Sequence, residues 1–421
     1  MGGTMGNYML ECTGCRSRLD ERANACPDHD ALLRPVYEQR SLTISPYKGI
    51  WQYCEWLPVH GIIKGFTGGP VTYRSEGLAR ELGLDRLYIS FNGYWPERGA
   101  SLPTCSFKDL EAPPTVQRLM DQGRGDVLVV ASAGNTARAF ANLSSITRHP
   151  LVLLVPSSAL GRLWLPSGAN TAGSIFVLAV GGDYSDAIVL GDAIARRPGF
   201  VPEGGARNVA RRDGMGVVML DAVRTIGELP SHYFQAIGSG TGGIAAWEAS
   251  IRLIADGRFG TTMPILHLGQ NLPCAPIYDK VHGGSFDPSC PHGMVDEVLF
   301  NRRPPFSVAG GVADALRATG GEVLGMTNQQ SDEAKALFLE SEGIDIMPAA
   351  SVAVAALVQR VKEGAVGRNE TVLLNITGGG AERFRREEGT KDLIPDLTVK
   401  GQDQDIEAIT SNIFENLREV M

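Results

Sequence analysis

Lys108 is the residue of this sequence whose type and setting best suit covalent chemistry. It follows a loop with glycine and proline, 94–99, and precedes a stretch of helical apolar spacing that begins at Leu110. An amine that is partly buried at the start of a helix favours its neutral, nucleophilic form, because burial and the helix dipole both disfavour the ammonium. A single lysine is more often a solvated surface residue. The assignment therefore depends on the motifs that accompany Lys108.

A second segment suits the binding of a phosphate group. It follows a predicted strand, precedes a predicted helix, and consists of Gly238, Ser239, Gly240, Thr241, Gly242 and Gly243. Backbone N–H groups at a helix N-terminus point outward, and glycine lets a phosphate approach them. The spacing is not the G-x-G-x-x-G of a dinucleotide-binding unit, so a monophosphate is the better match. The alternative is a tight turn without a ligand.

Polar side chains also follow two other apolar runs. Ser132, Asn135 and Thr136 come after one run, and Thr377 ends another run and is followed by three glycines. Parallel sheets bind ligands in the crevice outside the carboxyl ends of their strands. We therefore expect these side chains to face a common crevice, although the Thr377 segment could be a turn of no chemical consequence.

Arginines are concentrated in the segment 204–216, which is bounded by glycines and contains Arg207, Arg211 and Arg212. Arginine binds tetrahedral oxyanions with paired donors, as lysine cannot. An acidic protein that acts on anions must concentrate positive charge locally. We therefore predict that Arg207 or Arg211 lies near the mouth of the crevice and binds an anionic substrate. The alternative is a solvated, salt-bridged surface.

The N-terminus has the ligand types and spacing of a small zinc ribbon. Cys12, Cys15, Cys26 and His29 form two knuckles, each with two intervening residues. A site with all four positions filled by protein is structural, since none is left for a substrate. The alternatives are a ribbon that folds without metal, or cysteines that are merely buried. The seven cysteines of the whole chain favour a reducing compartment over a disulfide framework.

Length and composition are those of a globular protein with a large core. A chain of 421 residues can form two domains. The net charge of −8 argues against a nucleic-acid partner. The sequence shows neither an apolar run of membrane-spanning length nor a signal-peptide pattern, which predicts a cytosolic protein without a membrane partner.

Apolar runs that read as strands alternate with helical stretches, and this pattern predicts an α/β fold with parallel sheets. We also predict a helix over 71–82 and a long polar loop over 272–292. The predicted strands cover 87–91, 126–131, 151–155, 175–180, 232–237, 265–270 and 371–376.

The ordered motifs S-F-K-D, S-A-G-N-T, G-S-G-T-G-G and T-G-G-G together resemble those of the fold-type II pyridoxal-phosphate enzymes, the group of threonine synthase, cysteine synthase and the tryptophan synthase β-subunit. The resemblance implies two parallel-sheet α/β domains with the cofactor between them. Residues 46–112 and 205–421 would form the larger domain, 113–204 the smaller one, and 1–45 a ribbon-like N-terminal segment.

The resemblance also implies roles for the motif residues. Lys108 would hold pyridoxal 5'-phosphate as a Schiff base, and Asn135 would bind the 3-oxygen of the pyridine ring. The segment 238–243 would hold the phosphate, and Thr377 would face the ring nitrogen. The amides and hydroxyls of residues 132–136 would suit the carboxylate of a substrate.

Within this group the chain is most similar to the cysteate synthases of methanogens, in residues 93–97, 104–108, 204–216 and 238–246. Enzymes of that family replace the phosphate of O-phospho-L-serine with sulfite through an aminoacrylate intermediate, and L-cysteate then serves coenzyme M synthesis. The resemblance implies a cytoplasmic homo-oligomer. One departure is His29, where the wider group often has a cysteine, and this puts metal binding in doubt.

Two other interpretations stay open at the level of sequence. The first is a different replacement on the same cofactor, by a threonine synthase that uses O-phosphohomoserine or a cysteine synthase that uses sulfide. The second is a non-catalytic pyridoxal-phosphate-binding regulator. The lysine counts against the second, because a protein without turnover has no chemical need for that amine.

Overall fold

The computed structural model describes residues 7–132, 134–286, 293–301, 304–400, 405–418 and 420. The strands of the described residues are β1 (Tyr8–Cys12), β2 (Arg18–Leu19), β3 (Leu33–Tyr37), β4 (Val71–Arg74), β5 (Leu87–Phe91), β6 (Tyr94–Trp95), β7 (Ala100–Ser101), β8 (Val127–Ala131), β9 (Leu151–Pro156), β10 (Trp164–Pro166), β11 (Ile175–Gly181), β12 (Phe200–Pro202), β13 (His232–Ala236), β14 (Ile265–Asn271), β15 (Glu322–Met326), β16 (Val372–Ile376), β17 (Thr390–Asp392) and β18 (Leu397–Lys400). The α-helices are α1 (Gly77–Leu82), α2 (Ala112–Asp121), α3 (Asn135–Thr147), α4 (Tyr184–Ala195), α5 (Val209–Ile226), α6 (Thr241–Asp256), α7 (Pro276–His282), α8 (Val312–Thr319), α9 (Asn328–Glu342), α10 (Pro348–Lys362), α11 (Ala381–Glu387) and α12 (Ile406–Asn416).

Two parallel sheets form the body of the protein, which confirms the predicted fold class. The larger sheet has the order β15-β14-β13-β16-β5-β4, and the smaller one the order β12-β8-β9-β11-β18. All neighbours are parallel except β4 and β5. The central strands of the smaller sheet, β8, β9 and β11, are near-continuous apolar runs, as expected for parallel strands that are covered on both faces. Among the described residues, no helix has the length and apolar character needed to cross a bilayer.

Two local predictions were wrong. The predicted helix over 71–82 begins as β4, which pairs antiparallel with β5, and only α1 at its end is helical. Val71 to Tyr73 are β-branched or aromatic residues, and the edge of the sheet satisfies their backbone groups. The predicted loop over 272–292 contains α7, while 287–292 lie outside the described residues. Cys274 is disulfide-bonded, which departs from the expectation of reduced cysteines throughout.

The C-terminal elements join the smaller sheet. β18 pairs with β11, and α12 contributes Ile409 and Ile413 to the core of that sheet. We assigned all of 205–421 to the larger domain, and this assignment is wrong for β18 and α12. The sequence does not indicate that the C-terminal segment returns to the smaller sheet, because the last strand of a sheet can come from any part of the chain. The other domain boundaries stay a prediction.

The N-terminal segment forms a three-stranded antiparallel sheet of order β2-β1-β3, the ribbon, which packs on the larger sheet's helices. A fully buried guanidinium fixes this packing. Arg212 donates to the backbone carbonyls of Leu33 in the ribbon and Ala206, and to the carboxylate of Glu248 in α6 at 2.9 Å. The ribbon therefore shares a buried cation with the body of the protein.

Candidate active site

The predicted site residues converge on one cavity of about 830 Å³, including its opening to solvent, at the carboxyl ends of strands from both sheets. The predicted residues among its lining come from five separate segments of the sequence. The predicted residues that line the cavity are Lys108, Ser132, Asn135, Thr136, Arg211, Gly238, Ser239, Gly240, Thr241, Gly242 and Thr377. Ala133, inside one of these motifs, lies outside the described residues.

Two predicted residues do not line this cavity. Gly243 lies within α6, where an added Cβ would come 2.9 Å from the Leu268 side chain, so it serves the packing of the helix on the sheet. Arg207 is half-exposed and pairs with Asp30 of the ribbon. It lines the more open crevice that adjoins the cavity, together with Tyr184.

The backbone of the lysine segment is tied to the segment that follows β16. Lys108 lies in a 3-10 helix, Phe107–Leu110, and its N–H donates to the hydroxyl of the capping residue Ser106 at 3.3 Å. The Phe107 N–H donates to the Thr377 carbonyl at 3.0 Å. The two motifs are distant in sequence, yet this hydrogen bond fixes the position of Lys108 relative to Thr377.

Lys108 faces a buried charge network rather than solvent. Its Nζ lies 3.3 Å from Oε2 of Glu111, and the same oxygen lies 3.0 Å from Nε of Arg211. Arg211 contacts Glu203 on its other side at 2.6 Å. Burial lowers the pKa of the Lys108 amine, as the sequence analysis expected, while the Glu111 carboxylate acts against this shift.

Arg211 is at the cavity wall, but its charge is already compensated. Asn208 caps α5 and places Arg211 in its first turn, where it is buried between Glu111 and Glu203. The network contains two carboxylates, of Glu111 and Glu203, and two cations, Arg211 and Lys108, so that its charges cancel. Arg211 therefore has less capacity to bind an anionic substrate than the three arginines of the segment 204–216 suggested.

Asn135 is held by a residue that sequence reasoning missed. Arg138, one turn further along α3, donates to Asn135 Oδ1 at 2.5 Å and to the Arg162 carbonyl at 2.9 Å. This leaves the amide N–H groups of Asn135 for the cavity. Burial lowers the pKa of Arg138 to about 10, and its guanidinium stacks on Trp164. The i, i+3 spacing of Asn135 and Arg138 was the sequence feature that could have indicated this contact.

The glycine segment forms a close-fitting cradle. Gly240 has φ +81, which a side chain would strain, and α6 begins at the next residue. An added Cβ at Gly242 would lie 2.1 Å from the amide nitrogen of Gln235, and one at Gly238 would lie 2.7 Å from the Leu299 carbonyl. Only glycine fits at position 238, and a side chain at 242 would displace the end of the Gln235 side chain. The amides at the start of α6 suit a phosphate.

Comparison with known proteins identifies the group to which the site belongs. The family model described as "Pyridoxal-phosphate dependent enzyme" matches residues 70–378. A cysteate synthase of Methanococcoides burtonii is 52% identical over 417 residues, covering 99% of each chain. One from Methanothrix thermoacetophila is 54% identical and covers 95% of this chain and 97% of its own. The chain belongs to the cysteate synthase family of pyridoxal-phosphate-dependent enzymes.

Solved structures agree with this fold. Serine racemase from Dictyostelium discoideum superposes with a TM-score of 0.53 at 15% identity, covering 74% of this chain and 92% of its own. Maize serine racemase gives a TM-score of 0.55 at 13% identity, covering 74% and 89%. Sequence identities this low support a shared fold and nothing further.

The cavity of this cysteate synthase family member fits pyridoxal phosphate. The glycine cradle suits its phosphate, the fixed amide of Asn135 suits its ring oxygen, and the buried amine of Lys108 suits its aldehyde. Thr377, at the end of β16, presents a hydroxyl rather than a carboxylate to the cavity. A hydroxyl leaves a pyridine nitrogen largely unprotonated, which makes the ring a weaker electron sink.

Replacement of Thr377 by aspartate should change the electronics of the bound cofactor. In Thr377→Asp a carboxylate would favour the protonated form of the ring nitrogen. The protonated ring would stabilise negative charge at Cα, so that the leaving group would depart more slowly. We expect retained cofactor, a changed visible spectrum during turnover and slower replacement, measured by stopped-flow absorbance and phosphate release. Thr377→Ser is the control, and parental turnover and spectra in the aspartate variant would contradict this account.

The predicted metal site is formed in part. The sulfur atoms of Cys12, Cys15 and Cys26 lie within 4.8 Å of one another, and Cys26 also accepts two backbone N–H groups of its own knuckle. His29 is exposed, and its ring nitrogens lie outside this group of three thiols, so its role as the fourth ligand stays a prediction.

Three converging thiols predict a tightly bound structural zinc with His29 or water as the fourth ligand. We expect about one zinc per chain by elemental analysis, and Cys26→Ser should lose it. Cys54→Ser, which removes a buried thiol outside the cluster, is the matched control. A parental protein that binds no zinc after refolding in its presence would show that the ribbon folds without metal.

Proposed function

We propose that the protein converts O-phospho-L-serine and sulfite to L-cysteate and phosphate. The observation that carries this proposal is the convergence of Lys108, Asn135, the glycine cradle and Thr377 on one cavity, in a chain about half identical to cysteate synthases. Its small-molecule chemistry follows from the pyridoxal-phosphate family. We further propose that it acts in the cytosol as a homo-oligomer and that its product serves coenzyme M synthesis.

Pyridoxal phosphate, when bound, withdraws electron density from Cα of the amino acid attached to it. The residues of this chain bind and orient the reactants. Gly238 to Gly242 would hold the phosphate of the cofactor, and Asn135 its ring oxygen. The hydroxyls of Ser132 and Thr136, with the amides at the start of α3, would bind the substrate carboxylate.

Lys108 is the base that this site offers for the Cα proton. Once the substrate amine has displaced it, Nζ is a free amine in the cavity. Nζ takes the proton from Cα while the bond between Cβ and the phosphate oxygen breaks. After sulfite has bonded to Cβ, Nζ returns the proton to Cα. The hydroxyl of Thr377 favours this prompt departure, because a weaker electron sink does not sustain a long-lived carbanion.

The anionic substrates must be attracted into an acidic protein. Because Arg211 is neutralised by its two carboxylates, the half-exposed Arg207 at the crevice mouth and the N-termini of α3 and α6 are the sources of positive potential. We propose that Arg207 attracts phosphoserine or sulfite, whereas Arg211 shapes the wall of the site.

Product analysis tests the proposed function. The purified holoenzyme is incubated with O-phospho-L-serine and sulfite, with O-phospho-L-serine and sulfide, and with O-phosphohomoserine in water. We expect cysteate by mass spectrometry and stoichiometric phosphate from the first mixture at the highest kcat/KM. Preferred formation of cysteine or threonine would assign one of the other replacements, and no turnover would favour a regulator. Light scattering tests the oligomer.

A further inference from the structure

Glu111 is a buried carboxylate beside Lys108 to which the proposed reaction assigns no role. Its side chain has no exposure, and it follows the 3-10 helix that carries the lysine. Its Oε2 contacts both Lys108 and Arg211, and its Oε1 has no hydrogen-bond partner among the described residues. A carboxylate in the interior costs several kcal/mol unless cations compensate it. Its burial therefore depends on these two cations.

One of the two cations changes its state during the reaction. Arg211 stays charged throughout, whereas Lys108 alternates between a bond to the cofactor and a free amine that takes up a proton. The hydrogen bond to the Glu111 carboxylate is strongest when the free amine is protonated, because both partners then carry a charge. In the structure Nζ of Lys108 lies 3.3 Å from Oε2 of Glu111, within reach of such a hydrogen bond.

We propose, on the basis of the function proposed above, that Glu111 is a positioning residue that receives the released Lys108 and stabilises its ammonium form. In the first half of the reaction the electron pair of the Cα–H bond forms a Cα–Cβ double bond, phosphate leaves with the electrons of the Cβ–O bond, and the proton passes to Nζ. In the second half the lone pair of the sulfite sulfur bonds to Cβ, and the proton returns from Nζ to Cα. Glu111 faces the ammonium between these two transfers.

The charged and titratable groups around Glu111 determine which properties should change when Glu111 is replaced. Lys108 faces it from the 3-10 helix and Arg211 from α5, with Glu203 beyond Arg211. The charge of Glu111 also acts on Asp109 and Tyr184. Because Glu111 opposes the lowering of the Lys108 pKa by burial, a neutral residue should lower that pKa further. Lys108 would then be a weaker base, with its free amine available at lower pH.

Glu111→Gln and Glu203→Gln form a matched pair, since both carboxylates contact Arg211 but only Glu111 contacts Lys108. The holoenzymes are compared by phosphate release from O-phospho-L-serine with hydrogen or deuterium at Cα. We expect Glu111→Gln to keep the cofactor and its borohydride linkage to Lys108. Its kcat should fall about 10- to 100-fold, as for a lost hydrogen bond to a charged group. Its acidic limb should move to lower pH and its deuterium isotope effect should increase. Glu203→Gln should change both much less, because the Glu203 carboxylate acts on Lys108 only from beyond Arg211.

A parental pH profile and isotope effect in Glu111→Gln would overturn the proposal, even if thermal stability fell. If that variant does not fold, Glu111→Asp keeps the charge and should keep the parental acidic limb, and a shifted limb would overturn the proposal equally. If the parental enzyme prefers another phosphorylated amino acid, the same comparison is made with that substrate. A wrong substrate assignment is thereby separated from a wrong role for Glu111.

Discussion

Lys108→Ala is expected to lower replacement activity by about 10³-fold or more, because it removes both the cofactor's covalent anchor and the base for the Cα proton. The parental protein should be yellow, and borohydride should fix the cofactor on Lys108. The variant should bind cofactor weakly, through the glycine cradle and Asn135 alone. Phosphate release measures the activity, and peptide mass mapping after reduction locates the adduct.

Lys64→Ala, which changes an exposed lysine, is the control and should keep parental colour and turnover. A reduced adduct on any other lysine would disprove the assignment. So would a parental protein that stays colourless in pyridoxal phosphate. Either result would leave the fold intact but would move the chemistry away from this cavity.

Arg211→Ala is expected to destabilise the protein strongly, because it leaves Glu111 and Glu203 without their shared cation. Breaking a buried ion network by removing one partner costs about 3–5 kcal/mol. The sequence-based hypothesis predicted instead a loss of roughly 2–4 kcal/mol in kcat/KM through lost anion binding. Denaturant unfolding of the cofactor-loaded variant measures the first effect, and kinetics on the folded fraction measure the second.

Arg207→Ala separates the two effects. This arginine is half-exposed and pairs with an exposed aspartate, so its loss should change the free energy of unfolding by less than about 1 kcal/mol. If Arg207 attracts the anions, its removal should still lower kcat/KM for phosphoserine or sulfite, with a weaker dependence on salt. Parental stability in Arg211→Ala would contradict the account of a buried ion network that depends on this cation.

The sequence predicted best what depends on local pattern. β8, β9 and β11 are near-continuous apolar runs, and three of the four chemical motifs directly follow predicted strands. The fold class and many of the residues that line the cavity could therefore be predicted. The bounds of β4 could not, because an edge strand on a largely parallel sheet shows a short mixed pattern that also fits a helix.

The partners of the site residues were beyond prediction for a different reason. Glu111, Glu203 and Arg138 act through contacts that exist only after folding brings distant segments together, and an isolated glutamate or arginine reads as a surface residue. Arg211 illustrates the consequence, since its position at the crevice was predictable but its neutralisation was not. His29 shows the converse, because ligand spacing alone does not orient an exposed side chain.

The buried guanidinium of Arg212 also bears on how this protein can be modified. It connects three parts of the chain: β3, the segment at Ala206 that precedes α5, and α6, the helix that begins at the glycine cradle. The ribbon is therefore not a detachable module. A chimera that takes its N-terminal 45 residues from a relative would have to place a main-chain carbonyl where that of Leu33 now lies, or a buried N–H group of Arg212 would lose its hydrogen-bond partner. Exchange of the ribbon between relatives should succeed only when the ribbon, the segment at Ala206 and α6 are transferred together.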